Sequence, residues 1–193
     1  MIIDRDDWIR VPSGGFLYGP KQVRRCLREY HIGKYPVTYS EYNEYVQETG
    51  RPWNGKSEEA NYDDPAMRVT WSGAYWYCKW LNGKTGGKYG FVLPTVEHWE
   101  KAVSMVVSYG LWEWTLNMER GKHILRRYRH GTVRQREEES KRDYSDFGFR
   151  LVASIPDLVI EQWHGYVCGY CGSRYDEIPA ICGNCQSEVF ERV

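Results

Sequence analysis

Residues 69–103, VTWSGAYWYCKWLNGKTGGKYGFVLPTVEHWEKAV, decide the fold. They read as two short helices separated by a glycine-rich turn and a strand, with Trp71, Tyr75, Trp76, Tyr77 and Trp80 crowding the first half. Thr70 or Ser72 is the expected N-cap of the first helix, because a side-chain oxygen there accepts a hydrogen bond from an otherwise orphaned backbone N–H. Ala74, Tyr77, Cys78 and Leu81 then fall at i, i+3, i+4 and i+7 and define one apolar face. Gly83 is the expected left-handed stop. Gly86, Gly87 and Gly90 allow a reversal, and residues 91–93 should form a short buried strand closed by Pro94. A second helix starts at Thr95, with Glu97 opposing the helix dipole and Trp99, Ala102 and Val103 facing inward.

Working outward, residues 11–18 predict a turn at Pro12 to Gly15 feeding a strand, and residues 26–32 a second strand by alternation. Thr38 with Glu41 three residues on is a capping box for a helix whose buried stripe is Tyr42, Tyr45 and Val46 and whose stop is Gly50. Residues 51–65 form a polar loop, in which Trp53 is either a packed anchor or part of a recognition surface. Downstream, residues 109–118 alternate as a strand, with Leu111, Glu113 and Thr115 on one side and the core-facing Trp112, Trp114 and Leu116 on the other. Residues 120–146 mix seven Arg and Lys in their middle with Glu137, Glu138, Glu139, Asp143 and Asp146, the pattern of a solvated, salt-bridged loop. Residues 147–153 return to strand, and Pro156 among turn formers marks a boundary.

With 193 residues the chain holds one full domain and a small appendage: a domain over 1–153, a linker over 154–161 and a module over 162–193. Nine Trp and sixteen Tyr supply both core and contact surface. Zero net charge excludes a whole-molecule field drawing the chain to nucleic acid or anionic lipid, though not a local basic patch. The charged opening MIIDRDDWIR and the lack of 18 consecutive apolar residues lead to the expectation of a cytoplasmic protein with no membrane contact, in a reducing compartment.

The module carries the strongest chemical signal, Cys168-Gly-Tyr-Cys171 and, ten residues on, Cys182-Gly-Asn-Cys185. Two such knuckles offer four thiolates to a tetrahedral ion. Structural zinc, worth roughly 10–16 kcal/mol in small domains, would supply what so few apolar residues cannot. Disulfides are the alternative, disfavoured in a reducing compartment. The segment also resembles the rubredoxin-like tail of rubrerythrins, which implies iron as the less favoured metal. Cys26 and Cys78 are expected as buried small apolar residues.

Several separated segments together resemble the formylglycine-generating enzyme (sulfatase-modifying factor) family: residues 11–17 (VPSGGFL), 31–38 (HIGKYPVT), Val69-Thr70-Trp71, Tyr77-Cys78, Trp80-Leu81, Leu93-Pro94-Thr95 with Trp99-Glu100, Trp112-Glu113-Trp114-Thr115, and Gly148-Phe149-Arg150-Leu151-Val152. The resemblance implies an α+β, C-type-lectin-like fold, here with a four-cysteine zinc ribbon appended. It also implies a copper-binding cysteine pair before the final G-F-R-L, but residues 125–147 contain no cysteine. Without the soft ligand that selects Cu(I), that site cannot be built. The family's calcium-holding segment is likewise cut to residues 104–110, and five His leave no iron-bearing helical domain of the related sulfoxide synthases.

The expectation is therefore a non-catalytic binding or assembly protein, such as a phage or virion component or display protein, whose partner is a protein or larger assembly and whose alternative ligand is a carbohydrate. Its contact surface would comprise Trp53, Arg126, Arg127, Tyr128, Arg129, His130, Arg134 and Arg136 on loops held by a rigid base. Two competing readings are a divergent oxidase using His98, His123, His130, Glu113 or Tyr128, and a nucleic-acid binder using the arginines and the cysteine ribbon. Against the latter, the tail sets Asp176, Glu177, Glu188 and Glu191 against Arg174 and Arg192.

Overall fold

A computed structural model describes residues 6–55, 61–86 and 89–154, and the segments 166–168, 174–175 and 190–192 by backbone alone. Its framework is an α+β arrangement of helices on small sheets. Strands β1 (Trp8–Val11), β4 (Tyr30–Gly33), β10 (Val152–Ser154) and β5 (Gly90–Val92) form one antiparallel sheet in the order β1-β4-β10-β5. Strands β2 (Gly14–Tyr18) and β3 (Val23–Leu27) make a separate two-stranded ribbon. A second four-stranded sheet, β8-β7-β6-β9, takes β6 (Trp112–Glu119), β7 (Lys122–Arg129), β8 (Thr132–Glu138) and β9 (Phe147–Gly148), with β9 parallel to β6. Backbone pairing joins β11 (Tyr166–Cys168) to β12 (Arg174–Tyr175) and β13 (Phe190–Arg192).

The helices form where side chains satisfy their ends. In α1 (Tyr39–Thr49) the capping box is complete: Glu41 N donates to Thr38 Oγ1 while Thr38 N donates to Glu41 Oε2 at 2.9 Å, and Gly50 ends the helix at φ 66°. Helix α2 (Trp71–Lys84) is capped by Thr70, not Ser72, and buries Trp71, Ala74, Tyr77, Cys78 and Leu81. It runs through Gly83 to Thr85, and Gly86 (φ 60°) takes the left-handed position expected of Gly83. Thr95 caps α3 (Val96–Ala102), which buries Trp99 and Ala102 and leaves Val103 as its C-cap.

The aromatic density is spent on the core. Tyr42, Tyr45 and Tyr77 cluster with Phe149, Tyr42 and Phe149 meeting edge to face at 5.8 Å. Both indoles buried between α2 and β6 find acceptors: Trp71 Nε1 donates to Thr115 O at 2.9 Å, and Trp114 Nε1 to Val69 O at 2.7 Å. Gly73 lets α2 approach α1, since a Cβ there would strike the Tyr42 hydroxyl.

Four expectations are corrected. Residues 26–32 are not one strand: β3 is exposed along most of its length and pairs only with β2, whereas β4 buries Tyr30 and Ile32, and one straight run cannot serve both sheets. Cys26 is accordingly exposed, while Cys78 is buried. Strand β6 is buried on both faces from Trp112 to Leu116, because Glu113 and Thr115 are as buried as Trp114. Residues 120–146 are mostly not a loop. Arg120 (φ 52°) with Gly121 (φ 75°), and His130 (φ 50°) with Gly131 (φ 76°), make two-residue turns of the doubly left-handed kind that suit hairpins, so β6, β7 and β8 form a meander.

Candidate functional site

The floor of the β6–β7–β8 sheet is held by one buried ion pair. Arg150, fully buried, donates Nε to Glu113 Oε2 and Nη2 to Glu113 Oε1 at 2.7 Å, a two-pronged contact. Its Nη1 serves Gly33 O at 3.0 Å and Lys34 O at 3.2 Å, and Nη2 also reaches Val107 O at 3.1 Å, so all five N–H groups are used. Trp99 Nε1 donates to Glu113 Oε2 at 2.8 Å. Glu113 is thus consumed in clamping α3, β4 and β6 together, which removes it from the pool of candidate acids.

Register sorts the predicted contact residues onto two faces, because side chains alternate along a strand. Arg127 pairs with Arg134 and Leu125 with Arg136, so Arg127, Arg129, Arg134 and Arg136 share one face, while Arg126 and Tyr128 share the other. Arg127 lies over Trp112 at 4.3 Å with Asp146 Oδ2 3.4 Å away, and its buried Nε has no acceptor among the described residues. Arg136 lies over Tyr144 at 4.7 Å and bonds Glu138 through Nε at 2.7 Å. Arg129 and Arg134 are exposed. Four guanidiniums against Asp146 and Glu138 leave this face basic.

The other predicted residues fall elsewhere. Arg126 is buried, donating Nη2 to Tyr18 OH at 2.7 Å with Glu100 at 3.5 Å. Trp53 is an anchor: its ring sits 5.0 Å from those of Tyr39 and Tyr42, and its Nε1 donates to Met67 O at 2.9 Å. His130 occupies the exposed hairpin turn. His98 bonds Thr95 Oγ1 through Nδ1 at 2.8 Å and meets Tyr30 edge on; burial, then the Lys101 charge, pulls its pKa down to about 4. His123 is stacked on Trp71 at 3.8 Å, and burial pulls it down to about 4 as well. Both rings are neutral packing groups at pH 7, widely separated in their surroundings.

The donors present do not fit the copper centre that the resemblance implies. The segment before Gly148-Phe149-Arg150 offers guanidiniums, which have no lone pair to give, together with carboxylates, Tyr128, Tyr144 and the lone imidazole of His130 in an exposed turn, and no thiol. Burial pushes the Cys78 thiol up to about 12, which keeps it protonated under α2. Among the described residues no three His, Cys, Asp or Glu converge in a metal-holding group. The predicted ligands Cys171, Cys182 and Cys185 lie outside the described residues, and Cys168 is described only as backbone at the end of β11.

A concavity between α1 and the end of α2 involves Tyr35, Asp63, Trp80 and Lys84. Sequence reading missed it because its walls come from separate segments with no shared motif. The same holds for the span of Arg150, whose acceptors Gly33 and Val107 are far from it along the chain.

These features define an α+β aromatic frame that carries a charged ribbon before Gly148. The family model for the sulfatase-modifying factor enzyme 1-like domain matches residues 3–123, and the chain belongs to that family. The match ends within β7, before the arginines of the basic face. Among solved structures, CarF superposes with a TM-score of 0.62 at 17% identity, covering 77% of this chain and 98% of that one. PvdO from Pseudomonas aeruginosa follows at 0.59 and 14% identity, covering 78% and 96%. Treponema denticola variable protein 1 gives 0.57 and 14%, covering 78% and 94%. No curated protein sequence matches. At such identities the three structures establish the fold. Among the described residues no helix is long and apolar enough to cross a membrane.

Proposed function

We propose that the chain is a non-catalytic contact protein, which binds the acidic surface of a protein partner or larger assembly through one face of the β7–β8 ribbon. The observation that carries this reading is the register that sets Arg127, Arg129, Arg134 and Arg136 side by side. Like charges directly opposite on a ladder cost stability, so a ribbon that keeps them gains when an anionic group settles between them. Arg127 is already held over Trp112, its guanidinium 4.3 Å from the ring centre, which lowers the ordering cost of such a contact. A phage or virion component, or a display protein, is the kind of assembly such a frame serves, and a carbohydrate surface is the lesser alternative.

The residues 162–193 form a second contact element held by zinc on Cys168, Cys171, Cys182 and Cys185, with iron the lesser choice. The test of the contact reading is Arg129→Glu with Arg134→Glu. Both sites are exposed, so folding stability should change by only about 0.5 kcal/mol. Cross-links formed in the native source between residues 127–136 and an acidic partner should vanish in the double variant. Cross-links that persist unchanged would contradict the reading. Tight, salt-sensitive binding of an oligonucleotide that the same change abolishes would favour the nucleic-acid alternative.

A further inference from the structure

A half-open groove of about 900 Å³ lies between α1, the C-terminal half of α2 and the segment leading from β4 into α1. That volume is at the upper end of the roughly 300–1,000 Å³ typical of ligand sites. Its floor is apolar and aromatic, with Pro36, Val37, Tyr77, Trp80 and Leu81. Its walls carry four carboxylates, Asp7, Glu41, Glu44 and Asp63, and one cation, Lys84.

The single cation shows how this groove holds an ammonium group. Lys84 Nζ donates to Glu44 Oε1 and Glu48 Oε1, both at 2.6 Å, and lies 4.6 Å from the centre of the Trp80 ring. Trp80 Nε1 in turn fixes Glu48 through Oε2 at 2.9 Å. The stem of a lysine or arginine runs well along an aromatic floor while its head stays at a wet carboxylate rim. Lys84 answers Glu44 and Glu48, which leaves Asp7 and Asp63, both exposed and without an ion pair among the described residues, and the second oxygen of Glu41.

We infer that this groove docks an extended, lysine- or arginine-bearing segment of a protein partner, its apolar side chains and basic stems on the Tyr77–Trp80–Leu81 floor and its cations at Asp7, Glu41 and Asp63. The charge complementarity is local, since the whole chain is neutral, and a groove volume of about 900 Å³ suits several side chains better than one small ion. The site is separate from the basic face of the ribbon and selects the opposite charge, so it stands or falls independently of the ribbon's role.

Fluorescence anisotropy on the full chain tests it, with a dye-labelled eight-residue peptide alternating lysine and leucine and its glutamate–leucine counterpart as control. The lysine peptide binds at low salt and the control does not. Asp7→Asn with Asp63→Asn, both at exposed positions, weakens binding by about fivefold to tenfold, the effect of two rim ion pairs. Arg129→Glu with Arg134→Glu leaves it within twofold. Absence of binding at low salt would overturn the inference, as would binding indifferent to the aspartate changes, or equal displacement by tetramethylammonium, which would mark a small-cation site. A concentration-dependent dimer in sedimentation that the aspartate changes dissolve would also overturn it, by showing the groove covered by a second copy.

Discussion

At the scale of single residues, Arg150 and Glu113 show how much of the frame rests on a few polar groups. Arg150 reaches backbone carbonyls of β4 and of the segment before β6 as well as the Glu113 carboxylate, so neither partner can be lost without stranding the other in the core. Glu113→Gln should cost roughly 3–5 kcal/mol in urea unfolding, the usual penalty for breaking a buried pair. A loss below about 1 kcal/mol would mean that water reaches the site. The sequence exposes both residues through the W-E-W-T and G-F-R-L segments, yet Glu113 also stood among possible catalytic acids, because spacing cannot say that its oxygens are already taken. His98 and His123 give a pH signature. Their folded-state pKa of about 4 lies below the unfolded value of about 6.5, so the stability they lend is whole above pH 6.5 and drains away as pH falls towards 4. His123→Gln, neutral at every pH, should flatten the stability–pH slope in that window; an unchanged slope would show that His123 protonates as freely in the folded chain as in the unfolded one.

Among the elements, legibility tracks whether the deciding interaction is local. Helix α1 was readable end to end, since Thr38, Glu41 and Gly50 act within a turn or two of one another. Thr38→Ala should therefore cost about 1 kcal/mol in thermal or urea unfolding. The β6–β7–β8 meander was misread because its turns use Arg-Gly and His-Gly where Asn-Gly or Asp-Gly is the usual signal, and because arginine and glutamate hide a strand's alternation. His130→Asn should stabilise the ribbon by a few tenths of a kcal/mol, and Gly131→Ala should weaken it by about 1 kcal/mol, since φ 76° suits glycine far better than alanine. Amide exchange across residues 122–138 would register both, and opposite or null shifts would argue for another turn geometry. The contact residues were half legible: their chemistry shows in the sequence, but only register and burial together separate exposed Arg129 and Arg134 from half-buried Arg127 and Arg136 and buried Arg126.

For the whole molecule, the family frame and the ribbon carried on it answer different questions. Fold follows from aromatic packing on α1, α2 and β6, and the share of α2 in it was readable in residues 69–103. The proposed function turns on the arginines that stand before Gly148, where residues 125–147 contain no cysteine. The module of four cysteines adds a chemical prediction: metal analysis of the full chain should find about one zinc, as expected of a four-thiolate site. Removing the metal with a chelator should unfold residues 162–193 while the near-ultraviolet dichroism of the aromatic core persists; a metal-free or red, iron-bearing protein would contradict the zinc assignment. The claim at the centre of this account is that contact has taken the place of thiol oxidation. Oxygen consumption by the full chain, supplied with copper and a cysteine-containing peptide, tests it most directly. Uptake should not exceed that of buffer with the same copper and peptide, whereas sustained enzyme-dependent uptake with conversion of the peptide cysteine would contradict it.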